Sequence, residues 1–240
     1  GAVPPPPGYF EKVRELCDRY EIVLIIDEVM TGFGRTGTNF ATEQIGIKPD
    51  IITFGKGVSA GYAPLAGMIV HDRLIDGLIQ NSDGKFIHGY TYSGHPVAVA
   101  AGLAALEVYE RDMVLENVKK QGTYLVKRLM ELKQKHSYIS DVRGRGLLIG
   151  MELVKDPGQD LLFDPSEKAA ERLNGIAMEL GAVFYPGSGS IDGTKGEHLI
   201  ISPPLNVSRT EIDEIVRILD ESFTIFKGQL RKDEIYEITK

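Results

Sequence analysis

The sequence is poor in several things, and each shortage excludes an answer. It holds a single cysteine, Cys17, so no internal disulfide can form, which fits a reducing cytoplasm. No stretch approaches the roughly 18 uninterrupted apolar residues of a membrane-spanning helix, so no span is expected. Positive charge is in deficit: 27 Lys and Arg against 34 Asp and Glu give a net charge of −7, and no basic run exceeds two residues. A nucleic-acid or anionic-membrane surface would need a basic patch, so neither partner is expected. Position 1 is glycine, and the proline-rich opening Pro4 to Pro7 resembles neither a signal nor a transit peptide. Such an opening reads as the continuation of a longer polypeptide. There are no internal repeats or low-complexity tracts.

What is present is ordinary globular composition. The 240 residues are 42% apolar and 25% charged, enough for one large domain or two modest ones with real cores. A helix after the prolines should carry Phe10, Val13, Cys17 and Tyr20 as one apolar stripe. Cys17 lies on that stripe and reads as a small core residue. Apolar, β-branched runs at 22–27 and 51–54 predict strands buried on both faces. Residues 28–50 read as loop, 66–70 as a further strand, and Asp72 as the cap of a helix to about Gln80. The segment from Phe86 to Ser93 shows no helical period. Pro96 opens a small-residue helix, Val97 to Tyr109, suited to packing closely on a sheet. A longer helix should follow, with Val114, Val118, Leu125, Leu129 and Leu132 on one face.

The remainder has an α+β pattern, and the boundary is placed near Arg111, giving 1–110 and 111–240. Residues from Ile139 to Val154 suggest paired strands around three glycines. Asp164 with Glu167 and Ser208 with Glu211 are capping boxes. The first opens a helix burying Leu173, Ile176 and Leu180 and ending at Gly181. The second opens a stripe of Ile212, Ile215, Leu219 and Phe223. Between them, strands from Ala182 to Tyr185 and from His198 to Ser202 should flank a glycine-rich loop, 187–196.

Two charged groups stand out. The run ending at Ile26 delivers Asp27, and the run ending at Phe54 delivers Lys56 one glycine later. Open α/β sheets bind ligands beyond the carboxyl ends of their strands, so both should face one crevice. An amine buried there would titrate downward and attack carbonyls. With a carboxylate against a pyridine nitrogen, the pair suits pyridoxal phosphate. On spacing alone, a loop carboxylate and a solvated lysine remain the alternatives.

The blocks LIIDEVMTGFGRTG, PDIITFGKG, HGYTYSGHP, VRGRGLLIGMEL and ISPPLNVSRTEID, in that order, resemble the class III pyridoxal-phosphate aminotransferases of the ω-aminotransferase and ornithine/4-aminobutyrate type. The resemblance covers nearly the whole chain. It implies an α/β, fold-type-I architecture: residues 1–110 as the carboxyl-terminal half of a cofactor-binding large domain with a mostly parallel sheet, and 111–240 as a small α+β domain. It further implies amino-group transfer between an amine or amino acid and a keto acid or aldehyde. Lys56 would carry pyridoxal 5′-phosphate as a Schiff base and shuttle protons. Asp27 would pair with the pyridinium nitrogen, and Val29 would pack on a ring face. Thr91 would donate its hydroxyl to the cofactor phosphate of the neighbouring subunit, so the whole enzyme is expected to be a homodimer with shared sites.

Departures from the family pattern narrow the reading. Met30 stands where many members have a glutamine reaching the cofactor's 3′ oxygen. Before the ISPPL strand, where several members carry a substrate-binding arginine, the segment from Tyr185 to His198 has only Lys195. The family's phosphate-gripping turn and its second ring-stacking aromatic precede the point where this chain begins. The 240 residues therefore read as a carboxyl-terminal portion, expected to be inactive alone. His88 and His95 read as residues ordering a loop rather than as metal ligands, and no metal is expected. Arg35 reads equally as an anion ligand or a loop brace, and Arg143 and Arg145 as braces of the smaller domain. An aminomutase or other non-transaminating relative would share Asp27 and Lys56. A more distant alternative takes 22–28 as the Walker B strand of an ATPase, although no Walker A accompanies it.

Overall fold

In the computed structural model all residues are described except 83–84, 160 and 239–240, and side chains are described as far as Arg231. The chain divides into two compact units, Pro5–Val118 and Gly1–Pro4 together with Lys119–Lys240. The division therefore falls beyond Arg111, within a long helix, and the first four residues go with the later unit.

In the first unit, helix α1 (Tyr9–Arg19) turns Phe10, Val13 and Cys17 onto Leu24, Ile26, Ile45 and Ile47, a small apolar cluster. Tyr20 was expected on this stripe but is exposed, because the helix closes at Arg19. Strand β1 is confined to Ile25–Asp27, shorter than the expected 22–27. The backbone before it is spent elsewhere. Glu21 takes a left-handed φ of 53°, Ile22 N–H donates to Cys17 O at 2.8 Å, and Leu24 N–H donates to the Asp50 carboxylate at 2.8 Å.

β1 pairs in parallel with β2 (Ile51–Phe54), with Asp27 opposite Thr53. β3 (Gly67–Val70) pairs antiparallel to β2. The sheet in this chain is thus mixed, one parallel pair and one antiparallel, where a mostly parallel one was expected. Its strands are also not buried on both faces: Ile25, Met68 and Ile69 are exposed.

The segment 28–50 contains one short helix, α2 (Thr42–Ile45). Helix α3 (Asp72–Ser82) begins at Asp72, which does not cap it; His71 Nδ1 instead accepts from the Arg73 N–H at 3.2 Å. Helix α4 (Pro96–Arg111) approaches the turn after β2 more closely than the sheet. A Cβ on Gly102 would lie 2.6 Å from Leu65 Cδ2 and 3.6 Å from the Val58 carbonyl oxygen, so glycine at 102 permits that approach.

Helix α5 (Val114–Lys135) buries Val114, Val118, Leu125, Leu129 and Leu132, as its period predicts. The later unit is a four-stranded antiparallel sheet in the order β4-β5-β7-β6, formed by β4 (Ile139–Arg145), β5 (Leu148–Leu153), β6 (Tyr185–Ile191) and β7 (Lys195–Ile201). The glycine-rich segment is therefore strand, where a loop was expected, and 182–184 lies outside the strands. Gly187 sits opposite His198, and a Cβ there would meet His198 Nε2 at 2.3 Å. The lack of a side chain at Gly187 lets the imidazole lie against β6. The turn is only 192–194, closed by Asp192 Oδ1 accepting from the Thr194 and Lys195 N–H groups.

The Asp164–Glu167 capping box is present but starts a 3₁₀ turn, Pro165–Glu167. Lys168 then adopts a left-handed φ of 47° before helix α6 (Ala169–Glu179) begins. Leu173 and Ile176 are buried and Leu180 is half-buried. Ser208 and Glu211 exchange both capping bonds at the start of helix α7 (Arg209–Ile238), whose Ile212, Leu219 and Phe223 are fully buried. Among the described residues no helix is long and apolar enough to cross a membrane.

Candidate active site

The site is built on the carboxyl ends of β1 and β2. Because the two strands are parallel and Asp27 faces Thr53, the carboxylate of Asp27 and the turn holding Lys56 emerge at the same edge of the sheet. Asp27 is exposed. Its Oδ1 accepts the Val29 N–H at 2.8 Å, which fixes the carboxylate, and Oδ2 accepts no hydrogen bond among the described residues.

Lys56 starts a 3₁₀ turn, Lys56–Ser59, in a left-handed conformation with φ 42°. That region is costly for a residue with a Cβ, by about 1–3 kcal/mol, so surrounding contacts must hold it. Val29 and Phe33 stand near the two glycines that flank it. A Cβ on Gly55 would lie 3.6 Å from Val29 Cγ1, and one on Gly57 would lie 3.0 Å from Phe33 Cβ. Phe33 in turn packs edge-on against Phe54 and Phe40, at ring separations of 5.7 and 5.5 Å. The lysine side chain is exposed, where burial was expected, and its amine makes no ion pair or hydrogen bond among the described residues.

Asp27, Val29 and Lys56 are therefore brought together. Thr91 is not: it sits on an exposed turn, 91–94, with no hydrogen bond to the other three. The Tyr90 N–H donates to Ser93 Oγ at 3.0 Å and the Ser93 N–H to Tyr90 O at 2.9 Å, fixing the turn. Around it Phe86, Ile87, Tyr90 and Tyr92 are exposed, Ile87 at 96%. His88 lies between Phe86 and Tyr90, and His95 against Tyr92. Among the described residues no three histidine, cysteine or acidic side chains gather as a metal site.

Two carboxylates that the motif reading passed over organise this region. Glu28 is 0% exposed and accepts from the N–H groups of Thr42 at 2.8 Å and Ala41 at 3.0 Å and from the Thr31 hydroxyl. A Walker B glutamate would need to face a bound nucleotide; Glu28 is instead consumed within its own loop. Asp50 accepts from the backbone of Leu24 and from Arg14 and Arg73. These bonds, Arg73 foremost, hold its carboxyl well below the usual range. The available signals were the second acid of the Asp-Glu pair and an acid directly preceding a strand.

Arg35 is part-buried, and that burial lowers its pKa. Arg143 donates to Asp141 at 3.0 Å and pairs with Glu152 at 2.5 Å on the sheet of the later unit. It braces β4 against β5, as the sequence suggested.

Comparison with known proteins places the chain. A family model described as aminotransferase class-III matches residues 1–223. The chain is 39% identical over 224 residues to an uncharacterized aminotransferase of Schizosaccharomyces pombe, covering 93% of this chain and 49% of that protein. It is 41% identical over 220 residues to a diaminobutyrate–2-oxoglutarate transaminase of Halomonas elongata, covering 90% and 45%. A solved transaminase from the marine bacterium Virgibacillus is similar with a TM-score of 0.89 and 35% identity, over 94% of this chain and 50% of that one. The chain spans about half the length of the curated relatives it matches.

Proposed function

The chain belongs to the class III aminotransferases, and from that premise we propose that the protein moves an amino group between an amine or amino-acid donor and a keto-acid or aldehyde acceptor, using pyridoxal 5′-phosphate held on Lys56. The observation carrying this reading is the pairing of Asp27 with Thr53, which delivers a carboxylate and an amine to one edge of the sheet.

The residues present fit that cofactor. Among the described residues Asp27 keeps one oxygen without a partner while the other is held by the Val29 N–H, so an oriented acceptor awaits a ring N–H. Lys56 presents an uncommitted amine from a turn held in a costly conformation. When bound, pyridoxal phosphate supplies an electron sink for the charge left as a proton leaves the substrate carbon next to the amino group. Asp27 keeps the proton on the ring nitrogen, which maintains that capacity. Val29 would lie against one face of the bound ring. Lys56 Nζ would take the proton from the substrate carbon as general base and give it back as general acid.

Thr91 is assigned to the cofactor phosphate of a partner subunit, in a homodimer with shared sites. Its exposure, and the exposed apolar side chains around it, support the assignment. We also propose a cytoplasmic location, a reading that the single cysteine supports.

The test is covalent. The intact protein, incubated with pyridoxal phosphate and reduced with borohydride, should carry the label on Lys56. Label elsewhere, or none, removes this reading. Release of a keto product from an amine donor then separates transamination from an isomerising relative.

A further inference from the structure

Glu28 is the strongest feature near the site that the proposed chemistry does not use. We infer that Glu28 is a positioning residue for the Asp27–Lys56 pair, an inference that rests on the reading of the site given above. Its backbone N–H donates to Thr53 O at 2.8 Å, which ties the end of β1 to β2 directly after Asp27. Its carbonyl accepts the Gly32 N–H at 3.0 Å, which starts the loop that carries Phe33. Its side chain then closes that loop. Oε1 takes the Thr42 N–H, and Oε2 takes the Ala41 N–H and the Thr31 hydroxyl.

The consequence reaches Lys56 through Phe33. With the loop closed, Phe33 Cβ stands 3.0 Å from where a side chain on Gly57 would begin, and the Phe33 ring packs on Phe54. Val29 and Phe33 thus stand beside the two glycines that flank Lys56, and the space next to Gly57 is too tight for a side chain. On this inference, their packing keeps Lys56 at φ 42°. One buried carboxylate therefore sets where the base sits relative to the ring partner, without touching either.

The group has to be a carboxylate. Among the described residues every partner of the side chain is a donor, and an amide would turn its own NH₂ toward one of them. A buried donor facing a donor opens the loop.

The experiment uses the intact protein with pyridoxal phosphate and compares it with Glu28→Gln and Thr31→Val. With an amine donor, Glu28→Gln should lower kcat about tenfold to a hundredfold and leave KM within about twofold, because the change acts on placement of the base and not on substrate binding. Independently of turnover, the amides of Val58 and Ala60, which donate to Gly55 O and Gly57 O across the Lys56 turn, should exchange with deuterium faster. Less Lys56 should be trapped by borohydride. Thr31→Val removes one donor at nearly constant volume and should move all three readouts the same way by less.

A folded Glu28→Gln protein with unchanged kcat and unchanged exchange at Val58 and Ala60 overturns the inference and leaves the proposed function standing. So does a loss of activity that merely tracks the folded fraction. If Glu28→Gln does not fold, Thr31→Val decides, and wild-type behaviour there overturns the inference. No trapping on Lys56 in the unsubstituted protein overturns the proposed function and this inference together.

Discussion

Arg73 Nε donates to Asp50 Oδ1 at 2.6 Å, joining the start of α3 to the residue that precedes β2. The same carboxylate, 3% exposed, takes the Leu24 N–H and Arg14 from α1. One side chain thereby ties three segments of the first unit.

Replacing it should be costly. Asp50→Asn removes a charge-assisted acceptor and should destabilise the chain by about 2 kcal/mol, read from a urea midpoint. The pH dependence has a definite sign. The folded carboxyl titrates below its unfolded value, so its contribution is complete above the ordinary Asp pKa of about 3.9 and is lost as pH falls below that value. Acid unfolding followed by circular dichroism should show a shallower loss in Asp50→Asn, and an unaltered acid limb would contradict this.

Lys56 offers a stability test independent of chemistry. Both Lys56→Ala and Lys56→Gly should abolish borohydride trapping at that position. Glycine enters the left-handed region without the Cβ cost, so Lys56→Gly should be more stable than Lys56→Ala by about 1 kcal/mol, although alanine is ordinarily the better residue in a turn of helix. Equal midpoints would mean that the conformation is not strained.

Two helical glycines should respond oppositely to alanine. A Cβ on Gly122 of α5 would lie 2.5 Å from the Gly146 carbonyl oxygen, a backbone atom in the β4–β5 turn. Gly122→Ala should therefore cost about 2 kcal/mol. Gly175 of α6 has nothing within 4 Å of that position, and Gly175→Ala should add about 0.5–1 kcal/mol. Thermal denaturation of the two variants decides both.

The shared-site proposal makes a mixing prediction. Lys56→Ala and Thr91→Val proteins, each impaired alone, should regain activity when their subunits exchange. If Thr91 acts in the partner's site, one site of the mixed dimer carries both defects and the other carries none. If each site is self-contained, mixing restores nothing.

The parts of the molecule legible in the sequence are those where local chemistry and final structure agree. The stripes of α5 and α7 point at cores that exist, and Ser208 with Glu211 forms its box as the spacing says. The arrival of Asp27 and Lys56 at one sheet edge was readable because two apolar runs end where a parallel pair ends, whereas Val29 came only from the family resemblance.

What was misread depended on partners distant in sequence. The strand before Asp27 is shortened because Asp50, 26 positions away, captures the Leu24 N–H. The glycines between 187 and 196 read as loop, yet all but Gly193 lie in strands, and Gly187 is side-chain-free because the His198 ring lies opposite. Glu28 was invisible as an organiser because its donors lie in residues without any period.

Cys17 is the only thiol in the chain, and it is packed in the cluster that α1 forms with Leu24 and Ile47. A soluble thiol reagent can reach it only when that helix lifts from the strand leading to Asp27. The rate of its modification is therefore a clock, with no added label, for how often the floor beneath the candidate site comes apart.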